Sequence, residues 1–162
     1  MSEPNSEQNN VTLKVEDVMT KEIITIDENA TVKEAAAIMD KNQISCLITL
    51  RKGRAIGIIT ERDLLKRVIV EAKNPEKTKV TKIMSTPLQV TTPDTDLEDA
   101  LRQMFKKKIK KLAVTNKETL LGLISLTDIA YCQPALITLL KGFAAKRDTP
   151  KSMKQILNRY IV

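Results

Sequence analysis

The chain has 162 residues and a mass of 18.2 kDa, room for one domain or two small ones and long enough to bury a core. Its make-up, 42% hydrophobic and 29% charged with 2% aromatics, is that of a globular protein with an aliphatic interior, and no apolar run reaches the roughly 18 residues of a membrane-crossing helix. The lack of histidine excludes a Ser-His-Asp triad, a Cys-His dyad and a histidine metal site.

Cys46 and Cys132 have no CxxC partner, which rules out a zinc ribbon or a thioredoxin motif; both are expected to be reduced, small buried residues, with a regulatory disulfide as the alternative. The first ten residues, MSEPNSEQNN, have neither the basic nor the apolar part of a signal peptide, so the expected location is the cytoplasm, without a membrane partner. The net charge of +7 is unevenly placed: residues 102–117 and 141–162 together carry +12 and the remainder −5. Such a distribution marks either an anionic partner, a nucleotide phosphate or nucleic acid, or solvated helix faces.

In chain order, residues 1–10 read as a disordered tail. A shift of 65 residues then lays Lys14–Asp63 on Lys79–Asp128 without a gap, with twelve identities in fifty where chance gives about three. Among them are Val15/Val80, Met19/Met84, Ala35/Ala100, Met39/Met104, Ile44/Ile109, Gly57/Gly122 and Asp63/Asp128. The expected units are repeat 1 over 11–73, repeat 2 over 74–131 and a helical extension over 132–162. In each repeat a short strand is followed by a helix. Thr31 with Glu34 forms a capping box, and Val32, Ala35, Ala36 and Met39 make one apolar stripe. Repeat 2 presents Asp96 as the cap and Leu97, Ala100, Leu101 and Met104 as the stripe. Cys46–Leu50 and Ala55–Ile59 read as strands joined at Gly53, apolar enough to be covered on both faces. A second helix starts after Thr60 or Ser125.

The fold class is therefore α/β (α+β): two β-α-β-β-α repeats packed about a pseudo-twofold axis, each exposing an apolar sheet face unless its twin covers it. The extension adds an apolar stretch from Pro134 to Ala145, then a helix starting at Thr149-Pro150. That helix sets Met153, Ile156, Leu157, Tyr160 and Ile161 on one face and Lys151, Lys154 and Arg159 on the other.

One matched pair of segments carries chemistry: Gly57-Ile58-Ile59-Thr60-Glu61-Arg62-Asp63-Leu64 and Gly122-Leu123-Ile124-Ser125-Leu126-Thr127-Asp128-Ile129. Each sets a hydroxyl at the end of a buried strand and a carboxylate in the first turn of a helix. The pattern is either a plain capping box or a ribose-binding carboxylate beside a phosphate-binding hydroxyl and free N–H groups.

With Asp17-Val18-Met19-Thr20 and Ile83-Met84-Ser85 opening the two copies, the doubled unit closely resembles the cystathionine-β-synthase (CBS) domain, in the form of a stand-alone tandem pair of prokaryotic type. The resemblance covers roughly Lys14 to Ala130. It implies two clefts between the repeats that take adenosine compounds (AMP, ADP, ATP, NAD or S-adenosylmethionine), a regulatory role without catalysis, a homodimer and a regulated partner protein. Carried over by position, the better cleft holds Ser125, Thr127 and Asp128 facing Thr20, Ile23, Ile24, Ile44 and Ser45, with Lys107 and Lys108 on the phosphate. The weaker cleft pairs Thr60, Arg62 and Asp63 with Ser85, Leu88, Gln89, Ile109 and Lys110, its phosphate side formed by neutral Asn42 and Gln43. The family's frequent small-x-Leu-Pro-Val stretch is replaced by Ser45-Cys46-Leu47-Ile48 and Lys110-Lys111-Leu112-Ala113. The alternative function is a basic DNA- or RNA-binding module. An enzyme is the least supported reading, since lone carboxylates without a base partner or a metal set make no reaction site.

Overall fold

Thr31 opens the helix α2 (Val32–Asn42) as the capping box requires: its hydroxyl accepts from Glu34 N at 3.2 Å and the Glu34 carboxylate accepts from Thr31 N at 2.6 Å. The computed structural model describes residues 12–133, 136, 142, 145, 149–151 and 153–155. A short helix α1 (Val15–Val18) and strand β1 (Thr25–Asp27) precede α2, and Gln43 ends it in the left-handed region. Strands β2 (Cys46–Arg51) and β3 (Arg54–Thr60) follow as a hairpin whose two turn residues, Lys52 and Gly53, both have positive φ, the geometry that matches strand twist. Helix α3 (Glu61–Leu64) runs into a π-helical turn at Leu65–Ile69.

Repeat 2 retraces the path. A 3-10 turn at Val80–Lys82 takes the place of α1, then come β4 (Val90–Thr91), α4 (Leu97–Lys107), β5 (Lys111–Asn116), β6 (Thr119–Ser125) and α5 (Leu126–Cys132). Each three-stranded sheet pairs its first two strands in parallel and its last two antiparallel. The apolar stripes are buried as their spacing requires: Val32, Ala35 and Met39 in α2, and Leu97, Ala100, Leu101 and Met104 in α4.

The cap of α4 departs from expectation. Asp96 makes no side-chain capping bond, because its carboxylate turns to Lys14 Nζ at 2.5 Å, an ion pair that ties the two repeats together.

That ion pair belongs to a larger exchange. Val15 of α1 is buried in the core of repeat 2 with Leu101, Met104, Leu112, Ile124 and Ile129, whereas Val80 and Ile83 are buried in the core of repeat 1 with Met39, Leu47 and Ile59. Backbone bonds follow the same logic: Val15 N donates to Thr95 O at 2.8 Å and Val80 N to Ala30 O at 2.9 Å. The bridges Thr20↔Leu123 and Ile58↔Ser85 are likewise related by the 65-residue shift. Each repeat thus closes its core with the leading segment of its twin, about a pseudo-twofold axis. Where the segments cross, a Cβ on Gly122 would stand 3.0 Å from Thr20 O, and one on Gly57 2.9 Å from Ser85 O; both glycines are there for close approach.

Both cysteines are free. Cys46 is half-buried, but Cys132 is exposed rather than buried, because it lies at the outward end of α5. Residues 1–10 lie outside the described residues, as do most of Pro134–Ala145 and Ile156, Leu157, Arg159, Tyr160 and Ile161. Of the final helix, Lys151, Met153, Lys154 and Gln155 are helical, with Met153 completely buried in the core of repeat 2.

Candidate functional site

Strand β3 delivers Thr60 to the start of α3, and β6 delivers Ser125 to the start of α5. At both places the capping box forms. Asp63 Oδ2 accepts from Thr60 N at 2.9 Å and from Thr60 Oγ1 at 2.8 Å; Asp128 Oδ2 accepts from Ser125 N at 2.9 Å and Oγ at 2.6 Å. One carboxylate oxygen of each aspartate is therefore engaged in the helix start, and the other remains to be placed. Asp63 Oδ1 lies 3.5 Å from Arg67 Nη1, which also donates to the carbonyls of Ile83 at 2.5 Å and Met84 at 3.1 Å. Arg67 thereby fixes the carboxylate of repeat 1 against the segment leading to Ser85. Its counterpart in repeat 2 is Cys132, so Asp128 has no such tether.

Beside Asp63 opens a cavity of about 470 Å3, within the usual range for small-molecule sites. Thr60, Arg62, Asp63, Ser85, Leu88, Gln89, Ile109 and Lys110 all line it, so both repeats build the wall. Ile58, Pro87 and Ala113 add apolar surface, and Lys108 and Lys111 bring further positive charge. Burial, with Lys111 and Arg62 close by, holds the Lys110 ammonium below its ordinary pKa, and Glu61 joins Asp63 as a second carboxylate in the lining.

Three residues expected beside Asp128 stand at the Asp63 cleft. Lys108 lines it, and Lys107 Nζ bonds Gln89 Oε1 on the same side. The reason is that α4 lies beside the leading strand of its own repeat, where Gln103 Nε2 also donates to Val90 O at 2.8 Å. The equivalent Asn42 and Gln43 donate their amide N–H groups to Ile38 O and Asp40 O at the end of α2. Ser45, assigned to the Asp128 cleft, lines the Asp63 cleft, and its carbonyl accepts from Glu61 N at 3.1 Å.

Around Asp128, Thr20 is brought onto β6 by a reciprocal pair of 2.9 Å bonds with Leu123. Ser125 is buried, Asp128 half-buried and Thr127 exposed, while Ile24 and Ile44 pack on the core of repeat 1 and Ile23 is half-buried. Burial pushes the Cys46 thiol pKa up, with Lys111 opposing the rise and Asp128 adding to it. Sequence reasoning missed Arg67, Lys111 and Pro150, which also lines the cavity. Arg67 was within reach as an i,i+4 partner of Asp63. Among the described residues no three Cys, Asp or Glu side chains are grouped to hold a metal, and no helix is long and apolar enough to cross a membrane.

A CBS domain model matches residues 15–70 and again residues 80–134. The chain belongs to the CBS domain family. Its two CBS domains are 31% identical over 119 residues to the CBS domain-containing protein YhcV of Bacillus subtilis (strain 168), covering 74% of this chain and 84% of that one. Methanocaldococcus jannaschii MJ0188 is 28% identical over 151 residues, 93% of this chain, which spans only 51% of that longer relative. Among solved structures, a hexameric CBS-CP12 protein from bloom-forming cyanobacteria superimposes with a TM-score of 0.72 at 25% identity, covering 93% of this chain and 98% of that one. The tandem CBS fold is therefore shared with that protein.

Proposed function

We propose that this CBS pair is a regulatory module that binds an adenine nucleotide, AMP, ADP or ATP, between its repeats and carries no catalysis of its own. The observation that supports the reading is the Asp63 cleft, where a tethered carboxylate, an apolar wall and four basic residues from two repeats surround one space. Asp63 with Thr60 suits a ribose diol, and Ile58, Leu88, Ile109 and Ala113 suit a base. Arg62, Lys108, Lys110 and Lys111 suit a phosphate chain. The same charges disfavour the sulfonium of S-adenosylmethionine and favour more phosphates over fewer, so this cleft is the tighter of the two and the Asp128 cleft the weaker.

Output passes to a regulated protein or through self-association in the cytoplasm. Leu65, Ile69 and Val70, exposed at 60, 68 and 75%, give a homodimer an apolar surface. Calorimetric titration with AMP, ADP and ATP tests the site: Asp63→Asn should lose most of the affinity and Asp128→Asn little. Binding by Asp63→Asn as tight as the parent's defeats the assignment. The nucleic-acid reading draws on the same lysines; retention on heparin with no response to any nucleotide would favour it instead.

A further inference from the structure

The C-terminal segment reaches the cleft at one point and the core at another. Pro150 forms part of the cavity wall, and three residues later Met153 is completely buried among the side chains of α1, α4 and α5. A single helical turn joins the two: Met153 N and Lys154 N both donate to Pro150 O, at 3.0 and 3.1 Å. Proline suits the start of a helix because it has no N–H to leave unpaired. These two bonds tie Pro150 to Met153, so lifting Pro150 from the cleft pulls on the buried methionine. It lies outside both CBS domains, the second of which ends at residue 134.

We propose that this turn reports the occupancy of the Asp63 cleft: nucleotide binding holds it docked, and its docking tightens nucleotide binding. The proposal rests on the nucleotide reading of that cleft. A ligand filling the cavity packs against Pro150 only while the turn is docked; when the turn lifts away the ligand loses a wall and the core of repeat 2 loses Met153. Because the two events are linked, each must favour the other by the same factor.

Limited trypsin digestion of the full chain, read by mass spectrometry, tests this. Lys151 is exposed and Lys154 half-buried, and cleavage after them requires the turn to open, whereas Lys52 in the exposed β2–β3 turn is an internal control. Saturating ADP should slow cleavage after Lys151 and Lys154 about fivefold or more and leave cleavage after Lys52 unchanged. Pro150→Gly, which keeps the Met153 anchor, should weaken ADP binding severalfold and abolish the protection. Met153→Ala should do the same, while Leu101→Ala, in the same core, should lower stability but preserve the protection ratio. Binding of ADP by calorimetry with unchanged cleavage after Lys151 and Lys154 overturns the reporter and leaves the nucleotide reading intact. No binding of AMP, ADP or ATP to the parent overturns both.

Discussion

Gly122→Ala is the sharpest probe of the crossed leading segments. The added Cβ would lie 2.6 Å from Met19 Sδ, 3.1 Å from Met19 Cγ and 3.0 Å from Thr20 O, against 3.4–4 Å for ordinary contact. The thioether can swing aside, at some expense to the core it packs on. Thr20 cannot retreat so easily, because its N–H and carbonyl are both bonded to Leu123 at 2.9 Å. Overpacking of this kind costs about 1–3 kcal/mol. In a chain of this size that lowers the melting temperature by roughly 2–4 °C per kcal/mol, so about 2–12 °C in all. Scanning calorimetry of Gly122→Ala, Met19→Ala and the double variant separates the terms, since part of the clash disappears with the methionine and the double variant should be less destabilised than the two singles added together. An unchanged midpoint for Gly122→Ala, or strict additivity, would refute the close-approach account of this glycine.

Further outcomes follow from single residues. Thr49 is completely buried and its Oγ1 has no hydrogen-bond partner; the counterpart in repeat 2 is Val114, so Thr49→Val should stabilise by about 1 kcal/mol in urea unfolding. Arg67→Met removes the tether between Asp63 and the Ile83 and Met84 carbonyls and should cost about 1–2 kcal/mol while weakening ADP binding. An unchanged urea midpoint would show the tether to be idle. Lys110→Ser, which installs the residue of the matching position Ser45, should stabilise the unliganded protein at neutral pH and weaken ADP. The folded-state pKa of Lys110 lies below its ordinary 10.5, so the unfolded chain binds that proton more tightly and parent stability gains as pH rises toward 10.5. The variant should lack that part of the gain when urea midpoints at pH 7 and pH 10 are compared.

What the sequence disclosed is local or periodic. The Thr31 and Ser125 helix starts, the α2 and α4 stripes and the Gly53 hairpin each depend on residues within a few positions of one another, and they form where the pattern places them. A 65-residue repeat announces that contacts come in matched pairs, but it is silent on whether a segment closes its own core or its twin's. That is why Asp96 has the pattern of a cap although Lys14, 82 residues away, takes its carboxylate. The same silence covers Lys107 and Lys108, which stand where α4 lies along Gln89 and Val90. The eight residues carried over to the Asp63 cleft line one cavity because the family resemblance already encodes which copy faces which. Pro150 has the local pattern of a helix start; its place in a wall built by distant strands has no local signature.

The exchange of Val15 and Val80 between cores means that a lone copy of the unit has a hole where its neighbour's first turn belongs. Two separate copies could fill each other's holes only by meeting in solution, at a rate and occupancy set by how much of the chain is present. The stretch from Glu71 to Lys79 abolishes that dependence, since a short tether presents each turn to its socket at a local concentration on the order of millimolar. Dilution, which would dismantle an untethered pair, leaves this one whole.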